Sequence, residues 1–147
     1  ELRQRAQSSC KKNEDIFGVF IVRGGTGAAR LCVNEDECIA CAEKRGFKII
    51  DPSVMTVKQL AQSLNGAKYV IGVDSSGLMH GLMFMDKGGV LVDIMPADRF
   101  NLGVKEHADT AGVKFAMLVA DKGDLDGFMV DIDELNKTID LAIEAVG

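Results

Sequence analysis

The chain has 147 residues, nearly half apolar and about a quarter charged, which is one soluble globular domain's worth of core and too little for two. Its net charge of −5 carries no electrostatic footprint for nucleic acid, and no basic amphipathic segment marks a membrane surface. No apolar run approaches the roughly 20 residues that a membrane-spanning helix needs, and no signal peptide is visible.

A polar, helix-forming lead over 1–15 precedes the first apolar run, "IFGVFIVRGG", which reads as a strand. A small-residue loop, "GTGAAR", comes next. Asn34 then reads as a helix N-cap, with Glu35, Asp36 and Glu37 in the first turn, where acids favour the helix dipole. That helix stops at Gly46. "FKIIDPS" is the second strand, and an amphipathic helix starts near Thr56. "KYVIGVD" is the third strand, followed by a short apolar helix from about Leu78 to Met85. "GGVLVDIMP" is the fourth strand, "RFNLGVKEHADTAG" a helix and "VKFAMLVAD" the fifth strand. Asp131 caps the closing helix.

Strand and helix alternate throughout, and the strands are continuous apolar runs, as expected of strands buried on both faces. The pattern predicts an α/β, Rossmann-like three-layer domain with about five mostly parallel strands, joined by right-handed crossovers. It reads as a single domain over 1–147. A chain that opens on Glu1 rather than Met reads as a fragment or one lobe of something longer.

In open α/β sheets, ligands bind beyond the carboxyl ends of the strands. That rule selects Arg23, the glycines after it and Arg30 behind strand one, and Asp51 and Ser53 behind strand two. Behind strand three it selects Asp74, Ser75, Ser76 and Gly77, and behind strand four Asp93, Pro96 and Arg99. Two arginines beside a small-residue helix start make a diphosphate cradle, because the helix terminus attracts anions and Arg grips phosphate oxygens in pairs.

"GGTGAAR" also serves as a tight strand-to-helix connection, and with Asp51 it approaches a dinucleotide fingerprint, except that Arg30 fills the last glycine position. A site for an NAD-type cofactor is therefore one alternative, and a non-catalytic Rossmann-like binding module another. His80 sits in an apolar segment where a packed core histidine is the ordinary expectation, and His107 reads as solvated. Ser75 and Ser76 lack the G-x-S-x-G setting of a nucleophile elbow. Cys38 and Cys41 form a C-x-x-C inside a helical pattern, which places both on one helix face. Zinc would need two further ligands, and Cys32, His80 and His107 offer no matching spacing. The four cysteines read as reduced thiols.

Two stretches together resemble the family 61 glycosyltransferases. In "VFIVRGGTGAARLCVNEDE", Arg23, Arg30, Asn34 and Glu35 fall on that family's strand-arginine, second arginine, asparagine and acidic positions. "KYVIGVDSSGLMHGLMFMDKGGVLVDIMP" is similar to its second signature, a strand, a small-residue turn, an apolar helix and a strand ending in an acid. Between them Gln59 and Ala67 match the family's spacer. The resemblance spans roughly residues 19–112.

It implies a two-lobed fold of the glycosyltransferase B type, with this chain as the C-terminal lobe that binds the nucleotide sugar. The implied activity is inverting transfer of a sugar such as xylose, arabinose or N-acetylglucosamine from a nucleotide diphosphate sugar to a glycan or protein acceptor. Arg23 and Arg30 would neutralise the diphosphate, Ser75, Ser76 and Gly77 would supply backbone N–H groups, and Asp93 would bind the ribose. His80 and Asp74 are the candidate catalytic groups, and the base and acceptor site would come largely from an N-terminal lobe. No cofactor or divalent cation is expected beyond the donor itself. Where the family has His-Gly this chain has Asp74 and Ser75, and where it prefers Glu the chain has Asp93. A carboxylate beside a diphosphate is repulsive, so Asp74 is expected to point away, be paired, or reach the sugar. Reduced thiols and acidic charge point to the cytoplasm. Eukaryotic relatives work in the secretory pathway, and Asn136 begins a glycosylation sequon.

Overall fold

Apolar residues on consecutive positions bury both faces of a central sheet, and two core clusters divide them by parity. Phe20, Ile71, Val92 and Ile94 face one side, while Val19, Ile21, Val70 and Leu91 face the other. The computed structural model describes residues 1–23, 31–122 and 127–147. Its strands are β1 (Gly18–Ile21), β2 (Phe47–Ile50), β3 (Tyr69–Val73), β4 (Val90–Pro96) and β5 (Lys114–Ala120). They form one sheet in the order β2-β1-β3-β4-β5, and every neighbouring pair is parallel.

Among the described residues, six α-helices cover the two faces: α1 (Leu2–Ser8), α2 (Glu35–Lys44), α3 (Val57–Leu64), α4 (Gly77–Phe84), α5 (Gly103–Ala111) and α6 (Ile132–Val146). α2 packs with α6 on one side, and α4 packs with α1, α3 and α5 on the other. This is the three-layer α/β architecture expected from the sequence. None of the described helices is long and apolar enough to cross a membrane.

Local signals place several helix ends. Thr56 and Gln59 form a reciprocal capping box at the start of α3. Asp131 accepts from the amides of Asp133 and Glu134 at the start of α6. Gly46, at φ +84°, takes the left-handed turn just beyond α2. Gly81 permits close approach: a Cβ there would lie 2.7 Å from Cγ1 of Val70, so only glycine lets α4 rest directly on β3.

Three local expectations differ from the structure. The polar lead is helical only over Leu2–Ser8, and α5 starts at Gly103, preceded by a short 3-10 turn at Ala97–Arg99. Asn34 stands at the N-cap position of α2, but its side chain does not cap the helix. Buried at the sheet's flank, its amide nitrogen donates to the Val130 carbonyl and its oxygen accepts from the Val130 amide, both at 2.9 Å. An isolated parallel bridge between Cys32 and Phe128 continues this pairing.

The C-x-x-C pair does share one buried face of α2, yet its two sulfurs bond elsewhere. A hydrogen bond between Cys38 and Cys32 holds the Cys38 thiol well above its ordinary value and draws Cys32 below it. Cys41 donates to Oδ1 of Asn136 at 3.3 Å. The amide of the Asn136 sequon is thus engaged, since its Nδ2 also donates to the Ile132 carbonyl. Among the described residues, no group of three or more His, Cys, Asp or Glu side chains is arranged to hold a metal ion.

Candidate nucleotide-sugar site

β1 lies between β2 and β3, so the chain leaves β1 toward β2 on one face and returns across it to β3 on the other. Such a reversal of strand order opens a crevice beyond the carboxyl ends of the strands. A cavity of about 460 Å3 occupies that place, lined by Val22 and Arg23 after β1 and by Asp51, Pro52 and Ser53 after β2. Asp74, Ser75, Ser76, Gly77 and His80 line it from the end of β3 and the first turn of α4.

Register explains the convergence. Ile21 pairs with Ile50 on one side and with Gly72 on the other, so the three strands end nearly level and their next residues surround one hollow. Arg23 is held at its rim. Its backbone amide donates to Oε1 of Glu35, the first residue of α2, at 2.8 Å, and its Nη1 donates to the Asp74 carbonyl at 2.9 Å. The guanidinium is thereby steered across the mouth from β1 towards β3.

The turn after β3 supplies the opposite wall. Leu78 and Met79 donate to the carbonyls of Ser75 and Ser76, both at 3.1 Å, which closes a first tight turn of helix. The Ser76 side chain makes no capping bond. The amides of Ser75, Ser76 and Gly77 meet no acceptor among the described residues, as is usual for the first amides of a helix. They give the cavity a positive wall. Gly77 fits tightly, since a Cβ there would stand 3.2 Å from Ser75 Oγ and 3.3 Å from Ile21 Cγ2. His80, half-buried one turn further along α4, completes this side.

Asp74 lines the cavity but is only 4% exposed. Its amide donates to the Ile94 carbonyl at 2.8 Å, tying the turn to β4, and its Oδ2 accepts from Nδ2 of Asn101 at 3.1 Å. The carboxylate is therefore hydrogen-bonded within the protein. Sequence reasoning did not single out Asn101. The only signal was an asparagine two residues ahead of a helix, where its Oδ1 indeed accepts from the Gly103 amide.

The structure therefore brings together Arg23, Ser75, Ser76, Gly77, Asp74 and His80, with Asp51 and Ser53 beside them. It does not bring in Asp93. That residue is fourth of seven in β4, in register with Gly72, and is 0% exposed; it does not line the cavity. The sequence reading grouped it with the residues behind strand four, although the run "GGVLVDIMP" continues past it, and main-chain pairing with β5 carries the strand on to Pro96. Arg30 lies outside the described residues. His107 is exposed on α5, away from the cavity lining.

Among solved structures, the chain is similar to the flavodiiron core of Flv1 from Synechocystis sp. PCC6803, with 10% identity over 90% of this chain and a TM-score of 0.54. At that identity the likeness is one of fold. The chain spans 36% of the length of that structure. AibC aligns over 99% of this chain and 43% of its own, with 16% identity and a TM-score of 0.37. No curated protein matches the chain. A family model described as Glycosyltransferase 61 does match it, over residues 1–92, well over half its length, and the chain therefore belongs to the glycosyltransferase 61 family.

Proposed function

We propose that this chain is the donor-binding lobe of an inverting glycosyltransferase of the B type, which transfers a sugar from a nucleotide diphosphate sugar to a glycan or protein acceptor. The observation that carries this reading is the cavity where Arg23 faces the open amides at the start of α4, beyond the strand ends. Every residue lining it falls within the stretch that matches the family.

The chemistry follows from charge. In sugar transfer the diphosphate is both the handle by which the donor is held and the leaving group, and negative charge grows on it as the glycosidic bond breaks. Preorganised donors aimed at that charge lower the barrier. Arg23 contributes a full positive charge, and the α4 terminus adds backbone N–H groups and its dipole. The serines act as small residues that let a diphosphate approach the main chain. His80 is placed to hydrogen-bond the donor from the α4 side. Asp74, held by Asn101, is kept from opposing the diphosphate directly. With this much positive charge supplied by the protein, no divalent cation is required. The general base and the acceptor site belong to a second lobe, the chain's partner in catalysis.

Titration with UDP, GDP and NAD, followed by thermal shift, tests the reading. A nucleoside diphosphate is expected to raise the melting temperature, NAD is not, and Arg23→Ala is expected to remove the shift. A shift with NAD but with neither diphosphate would favour a dinucleotide-cofactor domain. No shift with any of them at millimolar concentration would favour a non-catalytic module.

A further inference from the structure

Two carboxylates line a cavity whose other walls are built for an anion, and they are in different states. Asp74 is nearly fully buried and bonded by Asn101. Asp51 is half-buried and partly engaged. Its Oδ1 accepts from the Ser53 amide at 2.9 Å and from the Ser53 hydroxyl at 2.6 Å, while its Oδ2 has no partner among the described residues. The carboxylate is also preorganised. Asp51 is the last extended residue after β2, and Pro52 opens the 3-10 turn Pro52–Val54 that its side chain caps. One oxygen fixes the group's orientation and the second is left for something else.

An ionised carboxylate accepts hydrogen bonds and repels phosphate, so the group it meets in this cavity must be a neutral donor. Hydroxyls are the donors that a nucleotide sugar offers. Strand spacing agrees. β2 and β3 flank β1, so their ends stand about 10 Å apart. A diphosphate held at the α4 terminus and Arg23 thus leaves room for one sugar ring toward β2. We propose that Asp51 is the hydroxyl-reading residue of this site, accepting hydrogen bonds from vicinal hydroxyls of a sugar attached to the bound diphosphate. The assignment rests on the donor-site reading above. It gives the ligand a direction in the cavity, with phosphates at β1 and β3 and a sugar at β2. The sugar is either the ribose of the nucleoside or the one to be transferred, and both present the same chemistry.

Calorimetric titration of the chain with pyrophosphate, UDP, 2′,3′-dideoxy-UDP and UDP-xylose separates these points, using wild type, Asp51→Asn and Ser53→Ala. Asparagine keeps the oxygen to which Ser53 bonds, so the turn survives while the charge is lost. Wild type is expected to prefer UDP over the dideoxy analogue by about tenfold or more, the worth of a hydrogen bond to a charged group. Asp51→Asn is expected to erase that preference while pyrophosphate binds as well as before or better, one repulsive charge having gone. Ser53→Ala is expected to keep the preference. If Asp51→Asn instead erases only a preference for UDP-xylose over UDP, the hydroxyls read are those of the transferred sugar, and the assignment stands. If wild type shows neither preference, or both survive in Asp51→Asn, the assignment is overturned and the donor site remains. Equal losses in Ser53→Ala and Asp51→Asn would make the turn the reader and overturn it likewise. Binding of none of the probes by wild type would overturn the donor site, and this assignment with it.

Discussion

The two ends of α4 are handled in opposite ways. At its carboxyl end, the unsatisfied carbonyls are closed by the protein itself. Arg3 of α1 donates to the carbonyls of Leu82 at 2.8 Å and Met85 at 2.5 Å, and also reaches Ala111 at the end of α5, at 2.8 Å. Gln7 adds bonds to the carbonyls of Phe84 and Met85. At the amino end, Ser76 provides no side-chain cap, and the residues of the first turn line the cavity. A helix end leaves about four backbone groups without partners, and its dipole favours a cation at the carboxyl end and an anion at the amino end. The chain supplies the cation at one end, and on the donor-site reading proposed above the anion at the other comes from a ligand. α1 is therefore a structural clamp on the carboxyl end of α4, and on that reading the α4 start is a half-built site.

That contrast makes the two arginines opposite in their effects. Arg23→Ala is expected to cost about 2–3 kcal/mol of UDP binding, roughly 30- to 150-fold in affinity, as for the loss of a charged hydrogen-bonding partner. Arg3→Ala leaves the carbonyls of Leu82 and Ala111 without their donor and Met85 with Gln7 alone, and is expected to cost about 2 kcal/mol of folding stability. For a chain of this length that lowers the melting temperature by about 4–8 °C. Per folded molecule, UDP affinity should stay within about twofold of wild type. Calorimetry beside thermal melts checks both, and a loss of UDP binding in Arg3→Ala equal to that in Arg23→Ala would break the division of labour.

Gly81 sits between the two ends, and its effect should reach both. A Cβ 2.7 Å from Val70 Cγ1 forces α4 away from β3. Gly81→Ala is expected to cost about 1–2 kcal/mol of stability by overpacking. Because the helix moves as a body, its amino end shifts against Arg23, and UDP affinity should fall as well, by a few-fold. A variant that lost stability but kept full affinity would show that the site tolerates movement of α4.

The features legible in the sequence are local, and those hidden from it are distant. The strand ends, the caps at Thr56 and Asp131, the stop at Gly46 and the small-residue turn after β3 are signalled within a few residues. The cavity's Arg23, Asp51, Ser75, Ser76 and Gly77 are legible for the same reason, because each lies just past the end of an apolar run. The Arg3 clamp joins residues 79 to 108 positions apart, and the Asn34–Val130 pair 96. No propensity or periodicity connects such partners. Asn101 reaches Asp74 across 27 positions because β3 and β4 are neighbours, a fact of topology rather than of pattern. Asp93 stands in the middle of β4, and its distance from the cavity lining follows from the pairing with β5 rather than from any local pattern.

The smallest expected effect is none, and it tests whether the half-built end of α4 is complete in charge. Carboxylates are the natural protein ligands of a magnesium ion bound to a diphosphate. Here both that line the cavity are already partly engaged, Asp74 by Asn101 and Asp51 by Ser53. The positive charge for the diphosphate then falls to Arg23 and the helix terminus. UDP affinity measured by calorimetry should be the same in excess EDTA as in magnesium. In Arg23→Ala, where that charge is reduced, added magnesium should recover part of the lost affinity by pairing with UDP in solution and carrying its own charge into the cavity. A magnesium requirement in the wild-type chain would mean that Arg23 and the amides cannot balance the diphosphate by themselves. The open end of α4 would then need a metal as well as a ligand to match what Arg3 provides at the closed end.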